Sequence, residues 1–226
     1  MASQGRLFHI CRKILRIRYR RYRQKGAMPE GAVVYVCRHR YAIGPVSSLC
    51  CLPVGIRPWV LSTFFDVDEC KKHCVDYTFS VSWGLPKWLS KAMASVICPA
   101  FTALVHSAAS IPVYRNSLKV RETFSQSLTA LDGGDSLLIF PDVDYTAETG
   151  DTGRLYDGFL LLEQMWFRKT HEHVRFVPLH IGTHRCEMVI SEPISFSGDK
   201  PFKAEMQEIA AQLESIFDEM AREYGA

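Results

Sequence analysis

The chain has 226 residues, 47% of them hydrophobic and 23% charged, and a formal net charge of +3. That balance suits one globular domain with a substantial core and excludes a disordered or fibrous chain. No Pro/Gly/Ser-rich linker, low-complexity tract or internal repeat divides it. Its eight cysteines, with no export signal, read as free thiols in a reducing cytosol and not as a disulfide framework.

The charge is unevenly placed. Nine Lys or Arg and no acid fall between Arg6 and Lys25, which leaves 18 basic against 24 acidic residues elsewhere. Leu7, Ile10, Ile14 and Ile17 recur at helical spacing, Phe8, Cys11 and Leu15 widen the stripe, and Arg12, Lys13, Arg16, Arg20 and Arg23 occupy the rest of the wheel. Residues 1–30 therefore form a basic amphipathic segment, with a helix predicted over 6–25. Such a helix can lie on a membrane surface, each basic residue adding up to ~1 kcal/mol on anionic lipid. The same pattern fits a helix packed on its own domain, or nucleic acid with Tyr19 and Tyr22 as stacking residues. The membrane surface is the partner expected, with no nucleic acid, and the location expected is cytoplasmic, peripheral on the inner face of the cell membrane. Arginines interrupting the apolar positions exclude a secretory signal. The later apolar stretch Ala92–Val113 contains Pro99, His106 and several serines, so it reads as a buried or interfacial helix.

Residues 31–226 read as an α/β domain. Ala32 to Cys37 is a short β-branched run, a buried strand, opening into Arg38-His39-Arg40 before a Gly44-Pro45 break. Arg57–Leu61 is a predicted strand, Asp68–Val75 a short helix with Asp66 or Asp68 at its start, Tyr77–Trp83 a possible strand, and Lys87 to about Ser107 a helix. Ser110–Arg115 and Ser136–Phe140 are strands separated by a helix over Leu118–Leu131. After an acidic loop, Gly158 opens a helix to about Lys169. Strands over Arg175–Ile181 and Cys186–Ile190 and a closing helix over Lys203–Glu223 complete the chain. Strands alternating with helices imply one domain with a mixed, largely parallel sheet flanked by helices. In such sheets, loops at the carboxyl ends of the strands carry the chemistry. Cys70, His73 and Cys74 have metal-ligand character, but a structural zinc site needs four ligands and no fourth is evident, so no metal is expected.

The order of the loop motifs carries a resemblance. A strand leads to His39; Ile111-Pro112-Val113-Tyr114-Arg115 follows; then Phe140-Pro141-Asp142, the aromatic-x-Gly element Tyr156-Asp157-Gly158, and Val177-Pro178. From Val33 to Ile181 this resembles the glycerolipid acyltransferase family, which contains bacterial lysophosphatidic acid acyltransferases. The family's first motif is Asn-His followed, after four intervening residues, by Asp; here Arg38 and Gly44 stand in the Asn and Asp places. Its third is Phe-Pro-Glu-Gly; here Asp142 and Val143 take the last two places.

The resemblance implies transfer of a fatty acyl group from an acyl thioester, acyl-CoA or acyl-carrier protein, to a hydroxyl or amine of a lysolipid-type acceptor, with no bound cofactor. His39 is the implied general base, since a histidine with a pKa near ~6.5 suits proton abstraction at neutral pH. Its ring needs a carboxylate to hold the tautomer, and Asp142 or Asp144 is the expected substitute for the acid missing at Gly44. Arg38, Arg40, Arg115, Phe140, Pro141, Tyr156 and Gly158 are the expected substrate-binding residues. Acids at 142, 144, 148, 151 and 157 oppose the phosphate that the arginines attract. Two other readings stand beside this one. The first is a catalytically inactive acyltransferase-fold protein that binds lipid at the membrane surface. The second rests on Asp142-Val143-Asp144-Tyr145-Thr146 after a strand, which resembles haloacid dehalogenase-type phosphatases.

Overall fold

In the computed structural model, residues 4–18, 22–39, 43–115, 117–142, 155–182 and 186–225 are described. The helix predicted over 6–25 is shorter than its sequence pattern: α1 spans Arg6–Arg18, and the chain then joins the sheet as β1 (Arg23–Lys25). After β2 (Val34–Cys37) a helix that the Gly-Pro pair conceals, α2 (Ile43–Cys51), begins at once. Pro45 falls in its first turn, where a missing N–H costs nothing. The strand β3 (Ile56–Leu61) is followed by a 3₁₀ turn over Ser62–Phe65 and by α3 (Val67–His73), which Asp66 caps by accepting from the backbone of Asp68 and Glu69.

The stretch Tyr77–Trp83, predicted as a strand, is helical. A π-helix runs over Cys74–Ser82 and leads to α4 (Lys87–Ser107). Aromatic and β-branched content argues for a strand here, and packing overrides it. An i→i+5 winding brings Cys74 and Phe79 to one face, where both are buried against Cys70, Ala94 and Cys98. The remaining elements fall close to their predicted places: β4 (Ile111–Val113), α5 (Val120–Asp132), β5 (Ser136–Ile139), a 3₁₀ turn over Asp157–Leu160 entering α6 (Leu161–Thr170), β6 (Phe176–Gly182), β7 (Glu187–Ile190) and α7 (Phe202–Tyr224).

The seven strands form one sheet in the order β1-β7-β6-β2-β5-β3-β4. All neighbours are parallel except β6 and β7. The molecule is thus a single α/β domain with a mostly parallel sheet between helices. The two-residue period of β2 divides the core. Val34 and Val36 meet Leu137, Ile139 and Phe176 under α5, α6 and α7, with Phe159, Leu213 and Phe217. Val33, Tyr35 and Cys37 face the other way, onto Leu138, Val177, Leu179 and Leu52. Because β2, β3, β4, β5 and β6 run in one direction, the residues that follow them emerge along one edge.

The first helix is docked, yet its apolar stripe is not. The Gly5 and Phe8 backbone N–H groups bond to Ser107 at the end of α4, at 2.7 and 2.9 Å. Phe8 is buried, and Arg12 donates to the carbonyls of Leu49 and Leu52 at the close of α2. Ile10, Ile14 and Ile17 remain 57%, 62% and 68% exposed. α4 likewise buries a narrow face of small residues, Ser90, Ala94 and Cys98, and exposes Trp88, Val96, Ile97 and Phe101. It is the one described helix long and apolar enough to cross a membrane by length and composition.

Candidate active site

Two loops at the carboxyl edge of the sheet meet at His39. One leaves β2 and the other leaves β5, its direct neighbour, so that residues 103 apart in sequence come into contact. The Asp142 carboxylate accepts the backbone N–H of His39 at 2.5 Å. The imidazole of His39 packs edge-on against Phe140, ring centroids 5.4 Å apart. Asp142 was expected to orient the ring; the bond described here goes to the backbone, so this carboxylate fixes where the loop carries His39. Asp144 lies outside the described residues, as does Arg40.

Asp142 is itself held in place. Its backbone bridges to Leu155, the Tyr156 N–H donates to the Pro141 carbonyl at 2.7 Å, and the Leu155 N–H donates to Glu214 of α7 at 2.9 Å. Asp142 and Leu155 are therefore held together beside His39. Burial pushes the Asp142 carboxyl above the usual carboxylate range, with the His39 N–H and the Arg38 guanidinium pulling the other way.

The absence of an acid at Gly44 has a steric cause. Gly44 lies in the first turn of α2, and a Cβ there would come within 2.7 Å of the Arg38 carbonyl oxygen and closer still to that of His39. Real side-chain carbons do not approach backbone this closely, so the α2 helix packs against the His39 turn only because residue 44 has none. A side chain at residue 44, a carboxylate included, does not fit the present arrangement.

Arg38, expected to meet substrate, is turned toward α7. Its guanidinium lies 3.3 Å from Asp218 and over the Phe217 ring, and its side chain is only 10% exposed. Burial lowers its pKa, while Asp218, Asp142 and Glu214 raise it. Glu214, Phe217 and Asp218 are the residues that the sequence reading missed. Their i, i+3, i+4 spacing on α7 is the signal that could have shown them sharing a face. Arg115 follows β4, the edge strand, and is exposed. Three strand spacings, about 14 Å, separate β2 at the centre of the sheet from β4 at its edge, so the chain positions of His39 and Arg115 are well apart along the carboxyl edge. Tyr156, 59% exposed, lays its ring over Gly158, where a Cβ would stand 2.6 Å from it. Pro141 is buried and Phe140 half-buried between these groups.

No family model matches the chain, and no curated protein matches it in sequence. Among solved structures, it is similar to the 1-acyl-sn-glycerophosphate (LPA) acyltransferase PlsC from Thermotoga maritima, with a TM-score of 0.55 over 93% of this chain and 79% of that one. The fold is acyltransferase-like. Sequence identity over that match is 10%, so the similarity speaks for the fold, and the chemistry rests on the residues above.

Proposed function

We propose that this protein is an acyltransferase that moves a fatty acyl group from an acyl thioester to a hydroxyl, or an amine, of a lysolipid-type acceptor at a membrane surface. The observation that carries the reading is the Asp142–His39 contact, which fixes a histidine at the carboxyl edge of an acyltransferase-like sheet. His39 takes the acceptor's proton as its oxygen attacks the thioester carbonyl. The resulting tetrahedral intermediate collapses with loss of the thiolate, and the imidazolium returns the proton to that sulfur. Every bond is balanced without metal or redox cofactor. Arg115, exposed at the far end of the same edge, is suited to an anionic headgroup. Tyr156 and Phe140 supply aromatic surface for the acyl or glyceryl portion. Ile10, Ile14 and Ile17, exposed beside Lys13 and Arg16, support attachment to anionic lipid.

A binding-only reading is favoured by one observation: the geometry at Gly44 admits no carboxylate in the place from which the family's acid would act. The phosphatase reading gains less. In it Asp142 would be a nucleophile needing its charge free toward magnesium, whereas here the carboxylate is occupied by the His39 N–H and burial disfavours its ionised form. Release of free thiol from acyl-CoA or acyl-carrier protein, measured with purified protein with and without a panel of lysolipids, tests the proposal. Acceptor-dependent thiol release supports it, and none with any donor or acceptor leaves lipid binding as the function.

A further inference from the structure

Away from the sheet edge, three cysteines converge inside the helical layer. Cys70 on α3 and Cys74 at the start of the π-helix are four residues apart and so share a face; Cys98 reaches them from α4. Their sulfur atoms all lie within 4.8 Å of one another, and the residues are 0%, 7% and 0% exposed. His73, which the sequence spacing put forward as a ligand, is not among them; its ring packs against Phe64 and Tyr77. The third sulfur comes instead from a residue 24 positions beyond Cys74, which no local spacing reveals.

We propose that Cys70, Cys74 and Cys98 form a three-sulfur site for a soft metal ion, with Cu(I) as the ion whose ligand preference and coordination number it matches. Three sulfurs placed about 2.3 Å from a central ion in a plane stand about 4.0 Å apart, so the observed triangle closes on an ion with shifts of under about 1 Å. The surroundings select the kind of ion. Phe64, Val75, Phe79, Leu85, Met93 and Ala94 make an apolar wall, and no His, Asp or Glu of the described residues joins the group. Hard ions that need oxygen ligands are excluded, and a closed tetrahedral zinc site would lack its fourth ligand. Each cysteine that joins the ion gives its thiol proton to solvent, so three protons leave per ion bound and copper remains Cu(I). The bound ion would tie α3 and the π-helix to α4.

The test is anaerobic titration of the reduced, metal-free full chain with Cu(I) against a chromogenic Cu(I) chelator, with X-ray absorption on the loaded protein. Expected are one tightly held ion per chain, a first shell of three sulfurs, and at least a tenfold loss of retention in Cys98→Ser. Cys11→Ser and Cys51→Ser should bind as wild type does. Should Cys98→Ser fail to fold, the sulfur count in the wild-type protein decides alone. A two-sulfur shell, retention unchanged in a folded Cys98→Ser, or loss of the ion in Cys51→Ser overturns the proposal. So does a preference for Zn(II) in a four-coordinate shell.

Discussion

The carboxylate of Asp142 and the backbone nitrogen of His39 are 2.5 Å apart, although 103 residues separate them in the chain. The contact joins two neighbouring strands at their carboxyl ends, and it sets an acid in a buried place. A carboxyl whose folded pKa is raised above ~3.9 stabilises the fold while protonated, below that value. The contribution is lost as pH rises through the raised folded pKa. At neutral pH the charged Asp142 therefore costs stability.

Asp142→Asn is for this reason expected to keep or raise Tm at pH 7, because the amide oxygen still accepts the His39 N–H without a buried charge. The advantage over wild type should shrink as pH falls through the raised carboxyl range toward ~4. Acyl transfer should fall in the same variant, since the charge beside His39 is gone. A loss of several degrees at pH 7, followed by thermal melts across pH 4 to 8, would show that the carboxylate stabilises the loop as an anion and that the sign above is wrong.

Gly44 gives a second test with a sign opposite to the ordinary one. Inside a helix, Gly→Ala usually stabilises by ~1 kcal/mol. Here the added Cβ meets the carbonyls of Arg38 and His39, so Gly44→Ala should destabilise by about 1–3 kcal/mol, the range for overpacking. Gly44→Asp, which restores the family's acid on paper, should do worse and should not raise activity. Denaturant melts of the two variants decide this; a Gly44→Ala protein as stable as wild type would mean that the α2 turn shifts freely.

Arg115 stands exposed at the far end of the edge from His39. If it meets an anionic headgroup, Arg115→Ala should raise KM by roughly 10- to 100-fold for phosphate-bearing acceptors, in keeping with loss of one charged hydrogen bond worth ~1.5–3 kcal/mol. Neutral acceptors should be unaffected. Equal effects on both classes would remove Arg115 from headgroup recognition.

On α1, three isoleucines are more than half exposed while Phe8 and Arg12 dock the helix. Changing Ile10, Ile14 and Ile17 together to Gln should abolish flotation with anionic liposomes. At ~1 kcal/mol or more per isoleucine moved from water into the interface, the loss in partitioning is at least ~10²-fold. Tm should not change, because no buried contact is removed. Flotation equal to wild type would leave attachment to the exposed Trp88 and Phe101 surface of α4.

Strands buried on both faces announced themselves: Val34–Cys37, Leu137–Ile139 and Phe176–Leu179 are unbroken apolar runs, and α4 and α7 show their period over twenty or more residues. What failed depended on contacts between distant parts of the chain. The Cys74–Ser82 π-helix carries strand-forming residues and is helical because Cys74 and Phe79 pack on α4. Gly44-Pro45 reads as a break, since nothing local says that proline falls in a helix's first turn. The loops after β2 and β5 were legible as neighbours, and His39 and Asp142 stand together at one edge. The direction of Asp142 toward a backbone N–H was not legible, nor was the employment of Arg38 by Asp218 and Phe217 180 residues away.

The last prediction concerns His39 itself. Its loop is fixed from behind by Asp142 and its ring lies against Phe140, half-buried, so replacing it removes the proposed base without emptying the core. A positioned general base contributes at least ~10²-fold to rate. His39→Ala should therefore lower kcat by that factor or more, with KM for the acyl donor little changed and Tm near wild type, since a base acts in the transition state more than in binding. His39→Gln keeps volume and hydrogen-bonding capacity but cannot take the proton, and it should be as slow as His39→Ala. The two variants together separate proton transfer from packing. If His39→Gln transfers acyl groups at the wild-type rate, His39 is a positioning residue and the base lies elsewhere. If wild type and both variants bind lysolipid equally and none transfers, the chain is the binding protein that the geometry at Gly44 favours.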